Sequence, residues 1–312
     1  MILKTQIDAN GMSLYNGTYP NSNGGTELQF RTLMANLKPE LKDRFQIICS
    51  RVRTIDPDKK QILWLHDHVT DVETQRLQDK AFRDQFAKLV FVSNMQFLTY
   101  RYRYGIGYDE ACVIPNMVRP FGKRIKNESG KVRLIYHTTP HRGLHLIIPL
   151  IERLHKSGID FHLNVFSSFG VYGWNQRDAQ FQQMFDILKS LPYVTYHGAQ
   201  PNDIVRSALL ESDIFLYPCV YPETSCIAAI EAQMAGCRVV CPNLEALIET
   251  AWPNLSHKFD FDVNMDKFLD SAYQALEEAI IDFNKKLDNK GFIKHHSVST
   301  NMDKWHRLLG GL

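Results

Sequence analysis

The stretch DIFLYPCVYPETSCIAAIEAQMAG, residues 213–236, decides the fold. Its first five residues are almost continuously apolar, as a strand covered on both faces requires. A turn ending at Glu223 follows, and residues 225–235 read as a helix of small and apolar side chains. Strand, turn and helix in that order are the repeating half of a parallel βαβ arrangement.

The same alternation runs outward in both directions. Residues 131–138 read as a strand, and 143–155 as a helix with apolar spacing through Leu144, Ile147, Ile148, Ile151 and Leu154. Residues 161–166 are strand-like and the stretch near 179–189 helical. A short strand at 194–197 precedes a helix at 202–211, with Asp203 in its first turn. Beyond the opening stretch come a strand at 238–241 and a helix at 245–250. The first half repeats the theme: a helix at 25–37 after a Gly-rich loop, strands at 45–49, 62–65 and 88–92, a helix at 95–104, and a strand at 111–114 ended by Pro115-Asn116. The charged, turn-prone segment 119–130 reads as a linker. A long helical region at 265–286 and a further segment around 305–309 close the chain. The expectation is an α/β protein of two doubly wound parallel-sheet domains facing across a cleft. They span residues 1–122 and 123–290, with a C-terminal helix in 291–312 packing back on the first domain.

Composition excludes several classes. A chain of 312 residues suits two cores, and its 44% hydrophobic and 22% charged residues are those of a globular protein. With 36 basic against 34 acidic residues the formal charge is +2, without the concentrated basic excess of a nucleic-acid partner. Two local clusters, residues 101–104 (RYRY) and 123–126 (KRIK), read as a solvated helix face and as linker, with a peripheral membrane or phosphate contact left open. No apolar run approaches the roughly 20 residues of a membrane span. Lys4 and Asp8 interrupt what would be a signal-peptide core. The six cysteines include no Cys-x-x-Cys pair, so a reduced, cytoplasmic setting is expected, and the Asn-x-Ser/Thr triplets at Asn16, Asn127 and Asn254 read as chance matches.

The chemistry concentrates between Glu223 and Glu231, eight positions apart. Thr224, Ser225 and Cys226 bring small side chains to a helix start, where orphan N–H donors and the positive dipole end attract phosphate. Glu231 sits among Ile227, Ala228, Ala229, Ile230 and Ala232, so its carboxylate needs a hydroxyl or N–H partner, which a ribose diol would supply. The competing reading makes Glu223 a cap and turns Glu231 to solvent.

This segment resembles the Glu-x7-Glu signature of retaining glycosyltransferase family 4, continued here by Gln233-Met234-Ala235-Gly236. Gly24-Gly25-Thr26-Glu27 before a helix is similar to that family's Gly-Gly-x-Glu loop. The segments 92–94 (VSN) and 114–116 (IPN) are similar to its strand ends before the linker, and 136–144 (YHTTPHRGL) to its Gly-Arg…Lys-Gly loop. The resemblance covers most of the chain and implies the GT-B fold, with two Rossmann-like domains and an acceptor-side first domain. It implies that Glu231 holds ribose hydroxyls and that Glu223 bonds the donor sugar. The amides of Ser225, Cys226 and Ile227, with Thr138, Thr139 and Gly198, would meet the nucleotide end. Arg142 stands where the family has Lys and would neutralise the leaving diphosphate. The family's second diphosphate Arg is replaced by Thr138 or Thr139. Gly24 and Gly25 would let the backbone approach the ligand closely, and one of His66 and His68, at a strand end, would face the sugar.

The activity so implied is retaining, metal-independent transfer of a hexose-type sugar from a nucleoside diphosphate sugar to a glycan or lipid-linked acceptor. The departing diphosphate would take the acceptor's proton, with no paired acid and base carboxylates. No cofactor is expected beyond the co-substrate. Residues 56–58 (DPD) and 260–262 (DFD) imitate a metal-binding Asp-x-Asp outside the nucleotide-site order, and 141–145 (HRGLH) lacks the Glu of a zinc helix. Rival readings are a sugar-nucleotide epimerase, a phosphorylase on the same architecture, and a catalytically silent sugar-nucleotide-binding protein. A dinucleotide dehydrogenase is disfavoured, since no Gly-x-Gly-x-x-Gly follows a strand.

Overall fold

The computed structural model describes residues 6–7, 13–14, 16–18 and 22–312, so Lys4 and Asp8 lie outside the described residues. The chain divides into two compact units. Unit 1 holds the described residues up to Arg119 together with His295–Leu312, and unit 2 is Pro120–Lys294.

In unit 1, β1 (Gln6–Ile7) and β2 (Ser13–Leu14) form an antiparallel pair. Four further strands, β3 (Phe45–Cys49), β4 (Lys60–Leu65), β5 (Lys88–Phe91) and β6 (Ala111–Val113), lie parallel in that order. Alternate residues serve opposite faces. Phe45, Ile47, Cys49, Ile62, Trp64 and Val90 pack with Phe30 and Leu33 of the helix Gly25–Asn36 and with Met302, Trp305 and Leu309 of the helix Val298–Gly311. Ile48, Leu63, Leu65, Leu89 and Phe91 pack with Phe97, Tyr100 and Tyr104 of the helix Asn94–Tyr104. Two covered faces explain why these strands read as unbroken apolar runs. Ser93 caps the helix that follows β5 by accepting from the Gln96 N–H, and Gly105 closes it in the left-handed region.

Unit 2 carries β7 (Val132–Tyr136), β8 (Phe161–Val165), β9 (Val194–Tyr196), β10 (Ile214–Leu216), β11 (Arg238–Asn243) and β12 (Ser256–Asp260). They form one parallel sheet in the order β12-β11-β10-β7-β8-β9. The chain winds outward from β7 through β9, returns to the middle, and winds the other way from β10 through β12. The reversal falls between β7 and β10, whose register pairs Phe215 with Ile135. In open α/β sheets ligands bind at that switch point, outside the carboxyl ends of the strands.

Several local expectations are corrected. The helix expected over 225–235 begins at Ile227, because Cys226 takes a left-handed φ of 38° that a helix cannot contain. Glu231 is therefore little more than one turn into it. A 3-10 stretch, Asn175–Phe181, precedes the helix Gln182–Ser190. The strand β12, which pairs with β11 at the edge of the sheet, has no counterpart in the sequence reading, since Ser256, His257 and Lys258 make it polar. The linker is not simply solvated. The Ile125 N–H bonds the Leu210 carbonyl at 2.9 Å. The buried Asp213 carboxylate gathers Arg124 at 2.8 Å, Asn127 at 2.6 Å and Arg133 at 2.8 Å.

Candidate active site

The loops that leave the two switch-point strands meet. After β7 the chain passes His137, Thr138 and Thr139 into a 3-10 turn, Pro140–Arg142, and then Gly143. Gly143 has φ 116°, and a Cβ there would stand 2.1 Å from the Pro218 carbonyl oxygen in the loop after β10. Only glycine allows this backbone-on-backbone contact. It brings Arg142 to Glu223. An Arg142 Nη donates to Glu223 Oε1, and the Tyr217 hydroxyl donates to the same oxygen. Glu223 is 5% exposed and the Arg142 side chain 22%. Burial alone would lower the Arg142 pKa, but Glu223 and Tyr217 beside it hold it well above the ordinary guanidinium value. The guanidinium also lies over the Tyr221 ring, 4.5 Å from its centroid.

Past Glu223 the chain is pinned from behind. The Ala246 N–H bonds the Glu223 carbonyl at 3.1 Å, and Thr250 Oγ1 donates to the Ser225 carbonyl at 3.2 Å. The helix Ile227–Ala235 then starts abruptly at Cys226, and helix geometry gives the amides of Ile227 and Ala228 no intrahelical acceptor. Both residues are half-buried, not covered. Glu231, expected to need a hydroxyl or N–H partner, has N–H donors from the protein: Arg206 at 3.2 Å and Asn202 at 3.4 Å, both on its Oε1. Arg206 is itself fixed by the Pro120 carbonyl at 2.8 Å and lies over the Phe121 ring at 3.8 Å.

The remaining expected residues fall into two groups. In unit 2, Thr139 is buried, and its carbonyl accepts from the Tyr136 hydroxyl at 3.1 Å. Thr138 precedes it, and Gly198, with φ 67°, stands two residues beyond β9. His141 stacks on Phe169 at 5.2 Å, and burial, with Arg142 adding to it, brings its pKa down to about 4. His137 lies against Phe215 at 4.4 Å, and burial takes it down to about 3. In unit 1, Gly24 precedes the first helix and its N–H bonds Ser22 Oγ at 3.1 Å, with Gly25 the first helical residue. Ser50, held at φ 53°, accepts from the His66 and Asp67 N–H groups at 2.8 and 3.2 Å and so shapes the turn after β4. The His66 ring lies 4.5 Å from Trp64, with its pKa brought to about 3 by burial, whereas His68 Nδ1 pairs with Thr70 Oγ1 at 2.8 Å. The two histidines are thus unlike, His66 a half-buried neutral ring against Trp64 and His68 a turn residue.

Sequence reasoning missed Tyr217, Arg206 and Asn202. Tyr217 carried a signal, because a tyrosine in an apolar strand end needs a partner for its hydroxyl. Arg206 and Asn202 carried none beyond their place on a helix. Among the described residues no group of three His, Cys, Asp or Glu side chains could hold a metal ion, and no helix is long and apolar enough to cross a membrane. Asp56 accepts from the Asp58 N–H at 3.1 Å in a local turn, and Asp260 ends the edge strand β12.

Comparison with known proteins gives the same architecture. A glycosyltransferase from Rickettsia africae ESF-5 superposes with a TM-score of 0.66 at 15% identity, covering 94% of this chain and 83% of that one. A mutant of S. aureus TarM, in complex with Fondaparinux, alpha-GlcNAc-glycerol and UDP, gives 0.63 at 15% identity, covering 98% of this chain and 64% of that one. Anabaena Alr3699/HepE, in complex with UDP and glucose, gives 0.61 at 14% identity, with coverages of 81% and 72%. Two parallel-sheet α/β units and these likenesses show a GT-B fold. No curated protein sequence matches the chain at a significant level. The model of the family described as glycosyl transferases group 1 matches residues 120–291, more than half of the chain and nearly all of unit 2. By that match, the chain belongs to the glycosyl transferases group 1 family.

Proposed function

We propose that this chain is a retaining, metal-independent hexosyltransferase of glycosyltransferase family 4. It takes its sugar from a nucleoside diphosphate sugar and passes it to a glycan or lipid-linked acceptor in the cytoplasm. One observation carries the donor side of this reading. Arg142 spends one Nη on Glu223, while its Nε and second Nη make no hydrogen bond among the described residues. A guanidinium has five N–H donors in a fixed fork, and one left so open, close enough to Cys226 to perturb its thiol, is a receptor for an oxyanion. The start of the helix Ile227–Ala235 adds amides that favour the same charge. The complexes of TarM with UDP and alpha-GlcNAc-glycerol, and of HepE with UDP and glucose, support a uridine diphosphate and a sugar as the ligand.

In the proposed reaction the bond from the anomeric carbon to the diphosphate breaks and the bond to the acceptor oxygen forms on the same face. The acceptor proton passes to the departing phosphate oxygen. Arg142 and the helix amides balance the charge that develops there, Glu223 orients the sugar through its hydroxyls, and Glu231 bonds the ribose. A thermal-shift panel of UDP-, GDP-, ADP- and dTDP-sugars tests the reading, since a ligand at about 100 times its Kd stabilises by roughly 2.7 kcal/mol. One nucleotide should shift wild type, Arg142→Ala should lose the shift, and EDTA should leave it. No shift with any of them, or an undiminished shift in Arg142→Ala, overturns the donor-site assignment; product analysis showing isomerised donor or phosphorolysis replaces transfer by the rival activities.

A further inference from the structure

We infer that Tyr217 is a positioning residue that fixes one oxygen of Glu223 and so leaves the other as the acceptor for a hydroxyl of the bound sugar. The inference rests on the donor-site reading above. Tyr217 is wholly buried just beyond β10, its ring stacked on Phe215 at 5.0 Å and 15° and tilted against Tyr136 at 6.1 Å. Its hydroxyl donates to Glu223 Oε1, the oxygen that also receives Arg142, and Glu223 Oε2 takes no hydrogen bond among the described residues. A phenylalanine would fill the same space. What the hydroxyl adds is polar: it donates to Glu223, with the Cys219 thiol as its other polar neighbour.

The need arises from competition. When a diphosphate engages Arg142, the guanidinium is shared between two anions and its hold on Glu223 weakens. A phenol is neutral and has no such rival attraction. With its ring held by Phe215 and Tyr136, it keeps Oε1 in place while Arg142 turns to the ligand. The neighbouring strand has a matching device, the buried Tyr136 hydroxyl holding the Thr139 carbonyl at 3.1 Å. Each loop at the switch point is therefore tied to its own strand end.

Calorimetric titration of UDP, UDP-glucose, UDP-N-acetylglucosamine, GDP and GDP-mannose into wild type, Tyr217→Phe and Glu223→Gln tests this. Wild type should bind one nucleotide sugar more tightly than the matching diphosphate. Tyr217→Phe should keep the diphosphate affinity within about twofold and lose about tenfold for the sugar conjugate, the loss of one hydrogen bond to a charged group, as should Glu223→Gln. Difluorotyrosine at position 217, which keeps the hydroxyl, should restore the wild-type difference; if Tyr217→Phe fails to fold, this variant decides the matter by comparison with 4-fluorophenylalanine. An equal loss for diphosphate and sugar conjugate means a merely structural Tyr217 and overturns the inference, as does no loss at all. Failure of the donor-site reading looks different: wild type then binds none of the five compounds.

Discussion

Replacing Arg142 by alanine strips Glu223 of its cation. Breaking a buried ion pair by removing one partner costs about 3–5 kcal/mol, because a charge is left in a medium that solvates it poorly. Two features set the expectation at the low end. The Arg142 side chain is 22% exposed, so water reaches the vacated space, and the Tyr217 hydroxyl still donates to Glu223 Oε1. About 3 kcal/mol is expected, which for a unit of this size lowers its melting temperature by about 6–12 °C. Glu223→Gln leaves instead a partly exposed cation that water can serve, and should cost only about 1–2 kcal/mol. The double variant separates pairing from packing. If the pair is responsible, it should be more stable than the two single losses predict by at least about 1 kcal/mol, measured by denaturant titration at neutral pH. The same Arg142→Ala protein should bind UDP about 10–150-fold more weakly, the loss of one charge-assisted contact. Additivity within about 0.5 kcal/mol would refute the ion-pair argument; UDP affinity unchanged within about twofold would refute the oxyanion role.

Gly143→Ala should destabilise unit 2 by more than about 2 kcal/mol, because a left-handed φ and a clash with the Pro218 carbonyl act together; a melting temperature unchanged within error speaks against the close approach. His66 and His137 have folded pKa values of about 3, well below the unfolded value, so the unfolded chain binds protons that the native one refuses. Stability should be complete above about pH 6.5 and fall as the pH drops toward 4, by about 2 kcal/mol per histidine at pH 5. Denaturation midpoints equal at pH 7 and pH 5 contradict this, and His137→Phe should flatten the dependence. Trp305→Ala should cost unit 1 about 3–5 kcal/mol, since the wholly buried indole meets Trp64 edge-on at 5.1 Å; hydrogen exchange in the helix Val298–Gly311 should rise by the corresponding factor, and unchanged protection would show that the helix is held elsewhere.

Most of the architecture was legible because parallel strands buried on two faces write themselves as apolar runs. The strand Phe45–Cys49 and the helix Asn202–Glu211 were read to the residue. The strand Ser256–Asp260 lies at the sheet edge with a polar sequence, so periodicity missed it. The early helix start was misread because nothing in a cysteine announces a left-handed φ. At the site, spacing singles out the two glutamates and the family resemblance singles out Arg142, but neither points to the side chains that pair with them. Arg142 was assigned to the ligand and Glu223 to the sugar without any sign that the two would bind each other. A pair 81 positions apart leaves no local trace.

That pairing is a consequence of sheet order. Because the winding reverses between β7 and β10, two strands far apart in sequence become neighbours, and the loops beyond them must share one space. Gly143 lets them share it at backbone contact, which brings Arg142 within reach of Glu223. The second glutamate follows a different plan. Glu231 sits on the helix itself and takes its cation from Arg206, on the helix Asn202–Glu211 that leads into β10. Each carboxylate thus has its own arginine, and engagement of Arg142 by an anion does not draw on the partner of Glu231. A ligand with a charged middle and hydroxyl-bearing ends, as proposed above, fits that division: its charge competes for Arg142 alone and leaves Arg206 with Glu231.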